Sequence, residues 1–369
     1  MQDSRSKRSA TNRRRQIWRL SGNCRRRFMA EKVIRLMEVC GSHTMAIAKA
    51  GIKGMLPPSV KLLSGPGCPV CVTAQETIDK ALALTDLPDM ILTTYGDMIR
   101  VPGSRRGDNL AARKAAGADV RIVYSPMDAV QTAAENPDKQ VVFLGVGFET
   151  SAPGTASAIA AAQDAGLENF SVLSMLKLLE PSVRALAADP EFNIDGFICP
   201  GHVAVIIGEE GMKFFEELGF PGVITGFKTA DILKGIAMLI RQIKDGTAIL
   251  QNEYTSVVRP EGNPVAREEI ERVFEKRTDL WRGLGEIPES GLGIREAFAK
   301  FDAERRFAVS SGMSRERPGC RCGDVIRGKL DPKECPLFGK VCVPEEPEGP
   351  CMVSSEGACA AAYKYRGII

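Results

Sequence analysis

Eleven cysteines and two histidines are the residues of this 369-residue chain whose types and spacing could do chemistry. Cys68-Pro69-Val70-Cys71 is a C-x-x-C at the junction of a loop and a helix. A helix N-terminus favours the thiolate, so such a pair can cycle between dithiol and disulfide. Half of a zinc site is the alternative, but a zinc ribbon wants a second C-x-x-C and the chain has none. Cys40 and His43 stand three residues apart at another turn into a helix, where both can face one ion. Thiolate plus imidazole suits Fe(II) or zinc. The plainer reading is a buried structural cysteine beside an N-capping Ser42 or Thr44. His202, after Pro200-Gly201, is a further candidate, or else a core histidine near Cys199, which reads as buried and inert in its strand.

Six more cysteines crowd the last 50 residues: Cys320, Cys322, Cys335, Cys342, Cys351 and Cys359. A [4Fe–4S] cluster takes four thiolates. The two left over could form a disulfide able to accept electrons through it. Zinc also takes four, but the gaps here are wide and six exceed the need. Spacing alone does not fix which four bind. Gly145-Val146-Gly147 lacks the third glycine of the dinucleotide fingerprint and no Walker motif exists, so no nucleotide is expected.

These residues need elements to position them. Short β-branched runs alternate with Ala-rich helical stretches from about residue 33 to 245. The strand candidates are Val33–Val39, Val60–Leu63, Met90–Thr94, Val120–Tyr124, Val141–Val146, Ser171–Met175, Gly196–Cys199 and Gly222–Thr225. Helix candidates between them are Ala74–Leu84, Leu110–Ala116, Thr155–Ala165, Glu209–Leu218 and Ala230–Ile243. This βαβ rhythm predicts parallel sheets covered by helices. In such sheets ligands sit beyond the carboxyl ends of the strands. Cys40 to Thr44, Gly65 to Cys71, Tyr95-Gly96-Asp97, Gly147-Phe148-Glu149-Thr150 and Pro200-Gly201-His202 all fall there. After Asp245 the rhythm fails. Pro264–Arg277 and Ile294–Ala303 read as helices around a Gly/Pro-rich Trp281–Gly293, and a segment as rich in Cys, Gly and Pro as that after Pro318 needs metal or covalent ties. The fold class is therefore α/β: two parallel-sheet βαβ domains, at 29–150 and 151–250 and split near Pro153, plus a helical and Cys-rich iron–sulfur domain at 251–369.

Composition narrows the setting. The first 28 residues hold ten basic side chains against Asp3, a balance of +9 that leaves −6 for the rest. This arm reads as disordered, or as an extension ahead of Met29, and no aromatic-and-basic pattern follows it, so no nucleic-acid partner is expected. No apolar run approaches the roughly 18 residues a membrane span needs. Without a signal peptide the thiols should stay reduced, which places the chain in the cytoplasm.

Taken together, Met37 to Thr44, Gly65 to Cys71, Tyr95 to Gly103, Gly147 to Thr150, Cys199 to Val203, Gln251 to Tyr254, Trp281 to Gly285 and Gly349 to Cys359 resemble the HypD family of [NiFe]-hydrogenase maturation factors. The resemblance covers residues 33 to 369. It implies a redox-active scaffold, rather than a turnover enzyme, that assembles the Fe(CN)2CO group with a HypC-like small protein and a HypE-like cyanide donor. Carried over, Cys40 is the expected iron ligand with His43 beside it, and Cys68 and Cys71 are the redox pair. Similarity of the tail to ferredoxin–thioredoxin reductase implies Cys320, Cys335, Cys342 and Cys359 as cluster ligands, with Cys322 and Cys351 as the spare pair. A cluster-dependent thiol–disulfide reductase is the competing function. The chain departs from the family in its basic arm and in Lys228, where Glu is expected.

Overall fold

The computed structural model describes residues 33–310, 312 and 314–367. The basic arm of residues 1–28, with Cys24, lies outside them. The described residues form eleven strands: β1 (Ile34–Glu38), β2 (Val60–Ser64), β3 (Met90–Thr94), β4 (Asp119–Ile122), β5 (Gln140–Gly147), β6 (Phe170–Leu176), β7 (Gly196–Pro200), β8 (Gly222–Thr225), β9 (Leu250–Asn252), β10 (Phe274–Trp281) and β11 (Gly285–Ile294). The first nine form two parallel sheets, ordered β2-β1-β7-β8-β9 and β4-β3-β5-β6. β10 and β11 pair as an antiparallel hairpin. Helices on both faces bury the central strands: Val141, Val142, Phe143 and Leu144 of β5 are wholly inaccessible.

The expected split near Pro153 does not divide the sheets. β1, with β2 on its other side, pairs with β7, so the five-stranded sheet combines strands from before and after the four-stranded one and encloses it in sequence. The alternation of runs reveals strands but carries no information on their order.

Three helix expectations also change. The stretch expected as Glu209–Leu218 is split between a helix over Gly201–Gly211, itself kinked at Gly208 (φ 82°, ψ 170°), and a short one over Phe214–Glu217. Pro264–Arg277 stops as a helix at Val273, and Phe274–Trp281 is β10. In place of the helix Ile294–Ala303, Ile294 closes β11, followed by a 3₁₀ segment Glu296–Phe301 and a short helix Ala303–Arg306. The hairpin forms because β6 and the residues just after it offer partners: Leu178 N donates to Ser290 O at 2.9 Å and Ser174 Oγ to Leu292 O at 2.6 Å.

Beyond residue 318 the described residues make short helices (Cys322–Ile326, Pro350–Val353 and Ala358–Lys364) and a 3₁₀ segment Pro332–Glu334, and pack as a cap on the two sheets. Among the described residues no helix is long and apolar enough to cross a membrane.

Candidate functional site

In each parallel sheet the strand order reverses once. The chain leaves β1 toward β2 on one side while β7 leads to β8 on the other, and likewise β3 leads to β4 and β5 to β6. The loops after such strands diverge and leave a crevice at their carboxyl ends. Cys40 follows β1 and His202 follows β7, its neighbour. Both line a cleft of about 150 Å³ whose opposite wall is Phe148, Thr150 and Ser151 after β5. Glu356 of the cap and Pro69 of the C-x-x-C turn close it. Helices starting at Gly41, Ala152, Leu179 and Gly201 all begin at this cleft, so their N-terminal partial charges favour anionic ligands there.

Cys40 is 8% exposed. Burial pushes its thiol up to about 12, with the carboxylates of Glu356 and Glu38 adding to the effect. A thiol this hard to ionise in the free protein becomes a ligand only when a metal takes the proton's place. Glu38 is buried beneath it, accepting hydrogen bonds from Cys40 N (3.2 Å) and Thr44 Oγ1 (2.6 Å), and burial raises its carboxyl to about 7. The Cys40 loop touches the C-x-x-C loop directly. Gly41 N donates to Gly67 O at 3.0 Å, and a Cβ on Gly67 would stand 2.1 Å from Cys40 N. Only glycine permits that approach. Cys68 and Cys71 are joined in a disulfide with Cα atoms 5.2 Å apart, at the start of the helix Pro69–Val72.

His43 does not share the cleft with Cys40, contrary to the expectation that both face one ion. Its ring is fully buried behind the loop, with Nε2 3.0 Å from Gly226 O and 2.9 Å from Thr225 Oγ1. Cys40 is the extended N-cap (φ −150°, ψ 124°) and lies outside the helix that carries His43, so helical spacing does not bring the two side chains to one face. The imidazole on the cleft wall is that of His202. Burial lowers the basicity of both rings, that of His43 to about 4.

The cap is fastened to both sheets. Asp97, after β3, accepts hydrogen bonds from Ser354 Oγ (2.9 Å), Ser355 N (3.0 Å) and Ser355 Oγ (3.0 Å). Glu356 accepts from Ser42 Oγ at 2.8 Å, two residues from Cys40. Trp281 to Gly285 forms the third attachment. Arg282, 3% exposed, donates from Nε to Thr73 O (3.2 Å) and from Nη2 to Gln75 Oε1 (3.0 Å), just beyond the C-x-x-C helix. Gly283, at φ 77°, lies so close to Gly323 that a Cβ would meet its Cα at 2.5 Å.

Five of the six tail cysteines, Cys320, Cys322, Cys335, Cys342 and Cys359, line one small cavity of about 10 Å³. Cys320 Sγ is 3.3 Å from Cys322 Sγ, and Cys351 lies in hydrogen-bond contact with Cys322 and Cys359. Those contacts hold Cys359 toward its thiolate, while burial raises Cys342 to about 11. Among the described residues no group of three His, Cys, Asp or Glu side chains is arranged as a metal site. The five thiols that share this cavity are of the kind and number from which a four-thiolate centre could draw its ligands. Cys199 is wholly buried and burial raises its thiol, leaving it no access to the cleft.

Sequence reasoning placed Asp97 on the rim without its task, and gave Glu38, Glu356 and Arg282 no role. An acidic residue closing a buried strand, as Glu38 does, was the available signal.

A family model described as HypD, hydrogenase formation hypA family, matches residues 16–366. The chain is 46% identical over 342 residues to the hydrogenase maturation factor HypD2 of Bradyrhizobium diazoefficiens, covering 90% of each. It is 49% identical over 338 residues to the hydrogenase expression/formation protein HupD of Azotobacter chroococcum, covering 90% of this chain and 89% of that protein. With the hydrogenase maturation factor HypD of Escherichia coli K12 it shares 44% identity over 341 residues, covering 92% and 91%.

Proposed function

Because the chain belongs to the HypD family and is a hydrogenase maturation and formation factor, we propose that it is the cytoplasmic scaffold on which, with HypC-like and HypE-like partners, the Fe(CN)2CO group of [NiFe]-hydrogenase is assembled. The observation that carries this reading is the single cleft where Cys40, the C-x-x-C turn and the cap's Glu356 meet.

In this account iron is cargo, held by the Cys40 thiolate together with a ligand from the partner. Four helix N-termini and the cleft's hydroxyl groups stabilise the negative charge that cyanide brings. Cyanide and CO need low-spin Fe(II), so electrons must be at hand. The Cys68–Cys71 dithiol would release two electrons and two protons on closing to the disulfide, and two electrons arriving one at a time from the cap, with two protons, would return it to the dithiol. Cys320, Cys335, Cys342 and Cys359 would hold a [4Fe–4S] cluster, which supplies single electrons when bound, and Cys322 with Cys351 is the adjoining thiol pair. Arg282 and the Asp97 latch seat that cap beside the C-x-x-C helix. A free-standing thiol–disulfide reductase would use the same sulfur groups but leaves Cys40 and its cleft without a task.

The test is complementation of a strain lacking its own HypD. The wild-type chain restores hydrogenase activity. Cys68→Ser abolishes it while the cluster absorbance of the purified protein persists, and retained activity would count against the relay.

A further inference from the structure

His43 and His202 are the chain's two histidines, and both lie against one phenylalanine. The ring centroids of His43 and Phe227 are 4.5 Å apart with 27° between planes, and those of His202 and Phe227 are 4.0 Å apart with 25°. Two rings at those distances cannot occupy the same face of a six-membered ring, so Phe227 lies between them. The far end of the stack is fixed: His43 is 0% exposed, and its Nε2 donates to Gly226 O, the residue preceding Phe227. The near end stands on the cleft wall with Cys40. Tyr254 meets Phe227 edge-on at 6.3 Å and closes its remaining side.

We propose that His43 is a positioning residue rather than an iron ligand: it anchors Phe227 and, through that ring, sets the plane in which His202 faces the metal cleft. Stacked rings hold a preferred offset and tilt, so a solvent-facing imidazole that would otherwise rotate freely is presented to the cleft in one orientation. The inference rests on the cleft being where iron is held.

Two measurements separate that premise from the inference. In the iron-free full-length protein, the imidazole signals in NMR arise from these two residues alone. Phe227→Leu should move the His202 ring protons downfield by removing the shielding face. His43→Ala should also move them, since the anchor of the stack is lost, and unchanged His202 signals in His43→Ala would overturn the proposal. In the anaerobically purified complex with its partner, His43→Phe should retain iron at the wild-type ratio while Cys40→Ser loses it. Loss of iron from His43→Phe to the Cys40→Ser level would make His43 a ligand and overturn the proposal. If His43→Phe does not fold, His43→Gln, which keeps an N–H for Gly226, carries the same comparison. Wild-type protein devoid of iron would overturn the cleft's assignment instead, and the NMR shifts would still decide the stack.

Discussion

Gly67→Ala tests the contact on which the site is built. An alanine Cβ there would stand 2.1 Å from Cys40 N, 2.4 Å from the Val39 carbonyl carbon and 2.5 Å from Cys40 Cα. Ordinary contact begins at 3.4 Å, so two backbones, rather than a pliable side chain, must part by 1.3 Å. Overpacking of this kind costs roughly 1–3 kcal/mol. The Gly41–Gly67 hydrogen bond at 3.0 Å lies in the same gap, and its loss adds about 1 kcal/mol. A total of about 3 kcal/mol, at roughly 2–4 °C per kcal/mol for a large domain, lowers Tm by on the order of 6–12 °C. The control is Gly54→Ala, where a Cβ meets nothing within 4 Å on the short helix Ile52–Met55. That substitution should be neutral or stabilising by up to ~1 kcal/mol. Thermal melts by circular dichroism read both, and iron retention reads the separation of Cys40 from the C-x-x-C loop. A Gly67→Ala protein that melts with wild type and holds iron normally would refute the argument that the two loops share one site.

Other perturbations probe the supports of the cleft. Glu149 is buried, with Oε1 accepting from Leu179 N at 2.8 Å and Oε2 without a partner, and burial raises its carboxyl from 4.5 to about 7. The folded state therefore binds the proton more tightly than the unfolded one, and stability falls as pH rises from about 4.5 to 7. Buried Glu38 contributes over the same range, so Glu149→Gln should lessen that slope rather than abolish it and gain on the order of 1–3 kcal/mol at pH 8; denaturant melts across pH with the full wild-type slope would contradict it. Arg282→Met strands Thr73 O and Gln75 Oε1 and should cost roughly 2–4 kcal/mol in the same assay. Asp97→Asn weakens three hydrogen bonds to Ser354 and Ser355. Hydrogen exchange over residues 350–359 should quicken while the sheets stay protected, and unchanged exchange there would mean the latch does not hold the cap.

The strands that build the site were legible wherever burial on both faces left an uninterrupted β-branched run, as in Met90–Thr94 and Gly222–Thr225. The rim positions of Cys40, Cys68, Cys71 and His202 followed from strand polarity alone. The hairpin was not legible. Glu275, Lys276 and Arg277 favour a helix locally, and Pro288 with four glycines between Gly283 and Gly293 reads as a loop. Partners distant in sequence, the Ser174 hydroxyl on β6 and the Leu178 N–H just after it, decide the outcome. The orientation of His43 was hidden for a related reason. Spacing places it three residues from Cys40 at the turn into a helix, but the Gly226 carbonyl that claims its ring comes from 183 residues away. Interleaving of the sheets likewise depends on β1 pairing with β7 across an intervening domain's length of chain.

On the proposed reading, the cleft between Cys40 and His202 holds iron bearing cyanide and CO. Anaerobic co-purification with the HypC-like partner, followed by infrared spectroscopy and iron quantification, tests it most directly. The account predicts cyanide and CO stretching bands with stoichiometric iron in the wild-type complex, and loss of both in Cys40→Ser with the cap's absorbance intact. Bands that survive unchanged in Cys40→Ser would contradict it.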